Sequence, residues 1–223
     1  MKTPSLLRKG FTLIELIVVI AILATLASIA FPAYMAVQNS AQATAARKVC
    51  TDIVSGVTNF SQDNNGMLPY DAKDVEPDRD DQMFLETTAG KDAKLIAILT
   101  NREEDDDNRI NSTRDTYLKA DEQETPADGL FIDSSDGVNY YDPWGQPYYV
   151  VLCEEEKGCA DPFNPKKHFR GKHCLVYCTG PDKAGVATPA PAGKGKKKPA
   201  AADADDDAEE ALEDNIYSWK KSK

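Results

Sequence analysis

The chain contains 223 residues, of which 41% are hydrophobic and 28% are charged, and this length and composition fit one domain with an appendage. Its 26 basic and 37 acidic residues give a formal net charge of −11, which argues against non-specific binding to nucleic acid phosphates. The 13 Gly and 13 Pro exclude a collagen-like or wholly disordered chain, and two His limit imidazole catalysis and His-rich metal sites.

The N-terminus joins a short basic segment to a long apolar one. Three basic residues in the first ten precede an apolar run, Phe11 to Phe31, in which Glu15 is the only charged residue. This layout is typical of an export signal or an inner-membrane anchor whose basic end stays in the cytoplasm. An ordinary secretory signal fits poorly, because its small residues follow the apolar run, whereas Gly10 precedes it.

Glu15 is the feature that a plain membrane anchor does not explain. A carboxylate inside a membrane helix costs on the order of 2.5–3.5 kcal/mol, so such residues usually mark functional sites. The residue therefore predicts a site with a cationic partner. The alternative is a signal anchor with an accidental Glu.

The segment Lys9-Gly10-Phe11-Thr12-Leu13-Ile14-Glu15 resembles the signature of type IV prepilins, which pseudopilins of type II secretion systems share. The resemblance implies that residues 1–10 are a leader, which a prepilin peptidase removes by cleaving after Gly10. The same enzyme would methylate the new amine of Phe11. The resemblance also makes Glu15 an assembly residue, and pairing with the Phe11 amine of a neighbouring subunit would set the axial register.

Two consecutive segments predict one long helix. Residues 11–35 are apolar enough for a transmembrane helix that becomes the fibre core, and Pro32 predicts a kink in it. Residues 36–62 predict an amphipathic continuation, with Gly66 as a C-terminal cap. Its apolar stripe, spaced by three and four residues, should lie against a globular head and comprises Ala46, Val49, Cys50, Ile53, Val57 and Phe60.

The head is assigned to residues 63–183. Residues 91–99 predict a short helix. The five consecutive acids from Glu103 to Asp107 favour a solvated loop over a calcium site, because their spacing does not match an EF-hand.

Three later segments predict strands, because they are apolar and rich in aromatic or β-branched residues: Leu130–Ile132, Tyr148–Cys153 and Cys174–Thr179. The segment between the last two suits a loop that joins antiparallel strands. The fold class is therefore α+β, with a long N-terminal helix packed on a small antiparallel sheet, as in type IV pilins.

Three blocks resemble the major pseudopilins of type II secretion: Asp142 to Tyr148 (DPWGQPY), Gly180 to Asp182, and Asp214 to Trp219. The resemblance implies a calcium ion held by Asp182, Asp214 and backbone carbonyls, and carboxylate oxygens suit that ion. The long insert at residues 184–213 and the intervening Asn215 depart from the family pattern. The alternative is two exposed acids that only cap turns.

Residues 184–213 have a low-complexity composition that predicts a disordered surface loop, and residues 214–223 form a C-terminal segment. The insert contains a lysine block followed by an acidic block, which would largely neutralise each other. We therefore expect a solvated loop here rather than a site for nucleic acid or anionic lipid.

Five cysteines leave at least one free or paired with another chain. Cys153 and Cys159 are candidates for closing a small disulfide loop. Cys174 and Cys178 would lie about 13 Å apart on one strand, too far to bond each other, so they are candidates for disulfides with other strands. A zinc site made by these four residues is the alternative, but an oxidising compartment favours disulfides.

The sequence predicts a structural subunit of a periplasmic pseudopilus that takes part in type II protein secretion, not an enzyme. The expected partners are copies of itself, minor pseudopilins, the prepilin peptidase, an inner-membrane assembly platform and the membrane, but not nucleic acid. The protein would be a single-pass inner-membrane protein with its C-terminal domain in the periplasm, and calcium is the only cofactor considered. The alternatives are a surface type IV pilin and, less favoured, a membrane-anchored periplasmic enzyme.

Overall fold

The computed structural model describes residues 11–71, 82–88, 94–103, 107–133, 137–153, 158–186 and 215–219. The chain divides into an N-terminal unit that ends at Ala41 and a second unit that begins at Gln42. Helix α1, Leu13–Asp63, contributes residues to both units. The predicted α+β fold is confirmed, because the later part of α1 packs on a small antiparallel sheet.

The second unit contains one further helix and eight strands within the described ranges. They are β1 (Gln82–Glu86), α2 (Lys94–Leu99), β2 (Gly129–Asp133), β3 (Gly137–Tyr141), β4 (Tyr149–Cys153), β5 (Cys159–Asp161), β6 (Asn164–Phe169), β7 (Cys174–Cys178) and β8 (Ile216–Tyr217).

Helix α1 ends one residue beyond the predicted boundary at 62. The N–H of Gly66 donates to the carbonyl of Ser61 at 2.7 Å, and Gly66 has a φ of +85°, which an L-residue with a side chain rarely adopts. Gly66 therefore closes the helix in the way the sequence predicts. The helix is unbroken at Pro32, and the kink expected there stays a prediction.

The main sheet has the order β1-β4-β7-β8, and every neighbouring pair is antiparallel. Val151 of β4 lies opposite Phe84 of β1 and Leu175 of β7, and Ile216 of β8 lies opposite Cys178. The segment between β4 and β7, expected to be a loop, carries the β5–β6 hairpin. Strands β2 and β3 form a separate hairpin.

Alternation along the strands gives the sheet two different faces. One face packs against the buried stripe of α1, in a core that includes Ile53 and Val57 of the helix. The main-sheet residues of this core are Met83, Leu85, Val150, Leu152, Cys174, Val176, Cys178 and Ile216.

The opposite face carries aromatic side chains from separate parts of the chain. Phe163, in the turn of the β5–β6 hairpin, packs edge-on against Tyr177 at 4.9 Å between ring centroids, and Tyr217 packs against Trp219 at 5.0 Å. Such pairs contribute beyond their buried area. Tyr217 and Trp219 also pack on Tyr177 of β7, at 6.3 Å and 6.2 Å between ring centroids, and these contacts attach residues 215–219 to the sheet.

Thr87 joins the β2–β3 hairpin to the main sheet. Its buried hydroxyl donates to the carbonyl of Tyr140 at 2.6 Å and accepts the N–H of Tyr148 at 2.8 Å. Its own N–H donates to the Tyr148 carbonyl at 3.0 Å, and its carbonyl accepts the Tyr140 N–H at 2.8 Å. One residue therefore satisfies four backbone groups of two neighbouring segments.

Replacing this hydroxyl should destabilise the protein. Thr87→Val keeps the side-chain shape but removes the partner of a buried carbonyl and a buried N–H, which should cost about 1–3 kcal/mol. Thr100→Val is the matched control, because the carbonyl bonded by the Thr100 hydroxyl also accepts a backbone N–H. Thermal unfolding of the detergent-solubilised protein should show a larger loss for Thr87→Val, and equal losses would contradict this role.

Candidate functional site

The described N-terminal unit presents apolar side chains along its whole length. Every residue from Phe11 to Ala41 is exposed, and α1 is long and apolar enough near its start to cross a membrane. At 1.5 Å per residue, the stretch from Leu13 to Met35 rises about 34 Å, slightly more than the roughly 30 Å hydrocarbon thickness of a bilayer. An apolar surface of this size requires lipid or other helices to cover it.

Thr12 and Glu15 form a reciprocal cap at the start of α1. Glu15 Oε2 accepts the backbone N–H of Thr12 at 2.8 Å and its hydroxyl at 2.7 Å, while the N–H of Glu15 donates to Thr12 Oγ1 at 3.3 Å. This capping box satisfies backbone donors that would otherwise be unpaired at a helix terminus in lipid. Within the described residues, Oε1 makes no hydrogen bond, so the carboxylate keeps an oxygen for another partner.

The other two hydroxyl residues of the apolar run, Thr25 and Ser28, also form hydrogen bonds within the helix. Thr25 Oγ1 donates to the carbonyl of Ile22 and Ser28 Oγ to that of Thr25, both at 2.8 Å. Glu15 is therefore the one charged group that the described apolar run must accommodate. Gly10 lies outside the described residues, so cleavage there and methylation of Phe11 stay predictions.

The DPWGQPY block forms the turn between β3 and β4. Asp142 is fully buried, and its Oδ1 accepts the N–H groups of Trp144 at 3.0 Å and Gln146 at 2.7 Å. The Asp142 N–H donates to the Gln146 carbonyl at 2.8 Å, and the Gly145 N–H donates to the Asp142 carbonyl at 2.9 Å. The aspartate thus holds the turn from inside, which a short side chain with a carboxyl acceptor does well.

Burial raises the pKa of Asp142 to about 6, although the N–H groups of Gln146 and Trp144 act in the opposite direction. The thiol of Cys178 and the ammonium of Lys183 also lower this pKa. No hydrogen-bond partner for Oδ2 is found in the described part of the chain. When Asp142 is ionised, hydrogen bonds therefore stabilise its negative charge only in part.

Only one of the two proposed calcium ligands, Asp182, lies within the described residues. Asp182 is exposed, and its Oδ1 accepts the N–H of Ala184 at 3.0 Å, whereas Asp214 lies outside the described residues. Asn215 donates to the carbonyl of Gly185 at 2.8 Å, and its buried Oδ1 has no hydrogen-bond partner among the residues that the structure describes. Among the described residues, no group of three His, Cys, Asp or Glu is placed to hold a metal. Calcium binding stays a prediction.

The cysteines fall on both faces of the sheet. Cys153 and Cys159 form a disulfide that joins the end of β4 to β5. Cys174 and Cys178, the candidates for disulfides with other strands, are instead free and buried thiols. Both face the helix side of β7, whereas Cys153 and Cys159 belong to the cluster on the opposite face, so the sheet separates the two pairs.

Residues 7–31 match the family model described as the prokaryotic N-terminal methylation motif. No curated protein and no solved structure matches the chain. The matched motif supports a type IV pilin-like protein with a structural role, processed by a prepilin peptidase and assembled in a pilus-like manner. Together with the apolar helix, it is consistent with a single-pass membrane anchor.

The buried carboxyl of Asp142 should make stability depend on pH. Its folded-state pKa of about 6 exceeds the unfolded value of about 4, so the stability that the protonated form contributes is lost as pH rises through this range. Asp142→Asn keeps the oxygen that accepts the two N–H groups but does not ionise. Relative to wild type, this variant should gain on the order of 1–2 kcal/mol between pH 4 and pH 7.

Thermal unfolding at each pH measures this difference directly. The exposed Asp121→Asn serves as the matched control and should follow the wild type across the range. A wild-type-to-variant difference for Asp142→Asn that is constant between pH 4 and pH 7 would show that the buried carboxyl does not titrate there.

Proposed function

We propose that this protein is a structural subunit of a periplasmic pseudopilus and takes part in type II protein secretion. The observation that carries the proposal is the N-terminal part of α1, whose apolar side chains are all exposed from Phe11 to Ala41 and whose only charged group in the apolar run is Glu15. Its coincidence with the methylation motif at residues 7–31 favours assembly through this helix over simple anchoring.

In this proposal, cleavage after Gly10 gives Phe11 a free amine, which is then methylated. When subunits join the fibre, the amine of one subunit pairs with Glu15 of its neighbour, and the apolar segments bundle as the fibre core. The capping box supports this role, because it occupies only Oε2 of Glu15 and leaves Oε1 for an ionic partner. A buried ion pair specifies register more reliably than it adds stability.

The resemblance of the C-terminal blocks favours a pseudopilus over a surface pilus. Residues 142–148 form the half-buried turn that leads into β4, and residues 215–219 add the edge strand β8 to the same sheet. The alternative, a surface type IV pilin for adhesion, motility or DNA uptake, shares the N-terminal helix. Minor pseudopilins and an inner-membrane assembly platform are the further partners that the proposal requires.

A bulky residue at position 10 should block processing. Gly10→Leu should leave the leader attached, because the proposed peptidase cleaves after a small residue at this position. Immunoblotting of membrane fractions should show a longer chain for this variant, with Ser5→Leu in the same leader as the matched control. Normal processing of Gly10→Leu would falsify the prepilin assignment.

Two substitutions of Glu15 separate its charge from its capping role. Glu15→Gln retains a side-chain acceptor for Thr12 but removes the charge, whereas Glu15→Ala removes both. We expect both variants to be cleaved and both to lose fibre assembly, as measured by shearing or by cysteine cross-linking between subunits. Wild-type assembly by Glu15→Gln would mean that the carboxylate acts as a cap and not as an ionic partner.

Bacterial strains that carry the Glu15 variants distinguish a pseudopilus from a surface pilus. Loss of assembly should trap exported proteins in the periplasm if the fibre is a pseudopilus. Unchanged secretion with loss of surface adhesion or motility would instead favour the type IV pilin.

A further inference from the structure

Two free cysteines from distant parts of the sequence meet in the core of the head. Cys50 lies on the buried stripe of α1 and Cys178 ends β7, and both side chains are fully buried in the same hydrophobic cluster. Their thiols lie side by side, within reach of a hydrogen bond between the sulfurs. Neither sulfur takes part in the Cys153–Cys159 disulfide.

The fold brings this pair together for simple geometric reasons. Cys50 lies between Ala46 and Ile53 on the helix stripe, and Cys178 shares the helix-facing side of β7 with Val176. The Tyr148 hydroxyl lies near both thiols, and the Asp142 carboxyl lies beside Cys178. Two polar side chains of the β3–β4 turn therefore lie next to the pair.

We propose that Cys50 and Cys178 form a second intramolecular disulfide in the exported protein, which joins α1 covalently to β7. The step rests on the proposed function, because export places the thiols in an oxidising compartment. A disulfide donor, either a protein or a small molecule, accepts the two electrons and two protons. Two S–H bonds are lost, one S–S bond forms, and the donor is reduced to two thiols through a mixed disulfide.

The bond must form before the core closes. Burial, the Cys178 thiol and the Asp142 carboxyl all raise the pKa of the Cys50 thiol, so the folded protein holds almost no reactive thiolate at this position. The pair therefore reacts during folding and is afterwards protected from both oxidants and reductants.

Cys174 provides a matched control on the same strand. It is buried on the same face of β7, and burial raises its pKa, but all five cysteines of the chain are described and none contacts its thiol. The proposal thus assigns Cys174 as the one free thiol of the protein.

Alkylation followed by mass spectrometry tests the pairing. The full-length processed protein is extracted in detergent, unfolded without reductant, alkylated with iodoacetamide, and digested. We expect one alkylated cysteine, Cys174, and a linked peptide pair that contains Cys50 and Cys178. Alkylation of Cys50, Cys174 and Cys178 together would overturn the proposal, as would a link between Cys174 and either of the other two.

Thermal unfolding of variants supplies a second readout. Cys50→Ala, Cys178→Ala and the double variant should all lose the same amount, roughly 5–15 °C in Tm, because each removes the same bond. A reductant present during unfolding should shrink these differences. If the two Tm losses add in the double variant and are unchanged by reductant, the variants lose only packing and the disulfide is absent. The Tm difference between wild type and Cys174→Ala should be the same with and without reductant, because this variant keeps both disulfides.

The start of the chain is read in the same mass-spectrometry sample, so the two proposals fail separately. A chain that begins at N-methyl-Phe11 with Cys50 and Cys178 alkylated overturns the disulfide and leaves the assembly role intact. A chain that begins at Met1 and carries the Cys50–Cys178 link contradicts the processing and supports the disulfide.

Discussion

Burial of the apolar stripe on the later part of α1 is the interaction on which the head depends. Five large or medium side chains of this stripe, from Ala46 to Phe60, are completely buried against the sheet and its loops. Each buried Val, Ile or Phe contributes about 1.5–3 kcal/mol, which is large compared with the stability of a domain. The same helix exposes every residue from Phe11 to Ala41. One continuous backbone therefore serves two environments, one supplied by the head and one that lipid or other subunits must supply.

A small number of polar side chains arranges the elements around this stripe. Thr87 satisfies four backbone groups at the junction of the main sheet and the β2–β3 hairpin, and Asp142 holds the turn that leads into β4. These groups are buried, so each unpaired atom would be costly. Within the described residues, Asp142 has hydrogen-bond partners at one oxygen only, and burial of the carboxyl raises its pKa to about 6. The hydrogen bonds of Asp142 therefore stabilise the turn, although the negative charge of the ionised carboxylate is only partly compensated.

Much of this arrangement is predictable from the sequence, because the strongest signals are periodic. The three- and four-residue spacing from Ala46 to Phe60 gives the helix, its buried side and its end to within one residue. Strand β1 escapes prediction, because QMFLE is short and lies between polar segments, and only its pairing with β4 makes it a strand. The role of Thr87 is equally hidden, since a single threonine carries no signal of the two segments that it joins.

The cysteines show that their spacing in the sequence does not predict which of their side chains come into contact. Sequence spacing excludes a bond between Cys174 and Cys178, but it says nothing about which face of β7 they occupy. The fold places both on the helix side, and this brings Cys178 to Cys50, which the sequence gives no reason to pair. The site at the N-terminus differs, because Gly10, Phe11 and Glu15 belong to one short segment, so their pattern can be recognised without knowledge of the fold.

Intact-mass spectrometry of the protein from its native membrane, with fragmentation of the N-terminus, tests the central claim most directly. The account predicts a chain that begins at Phe11 and carries one methyl group on its amine. A chain that begins at Met1, or one cut beyond Phe31, would contradict processing as a prepilin and with it the assembly role of the N-terminal helix.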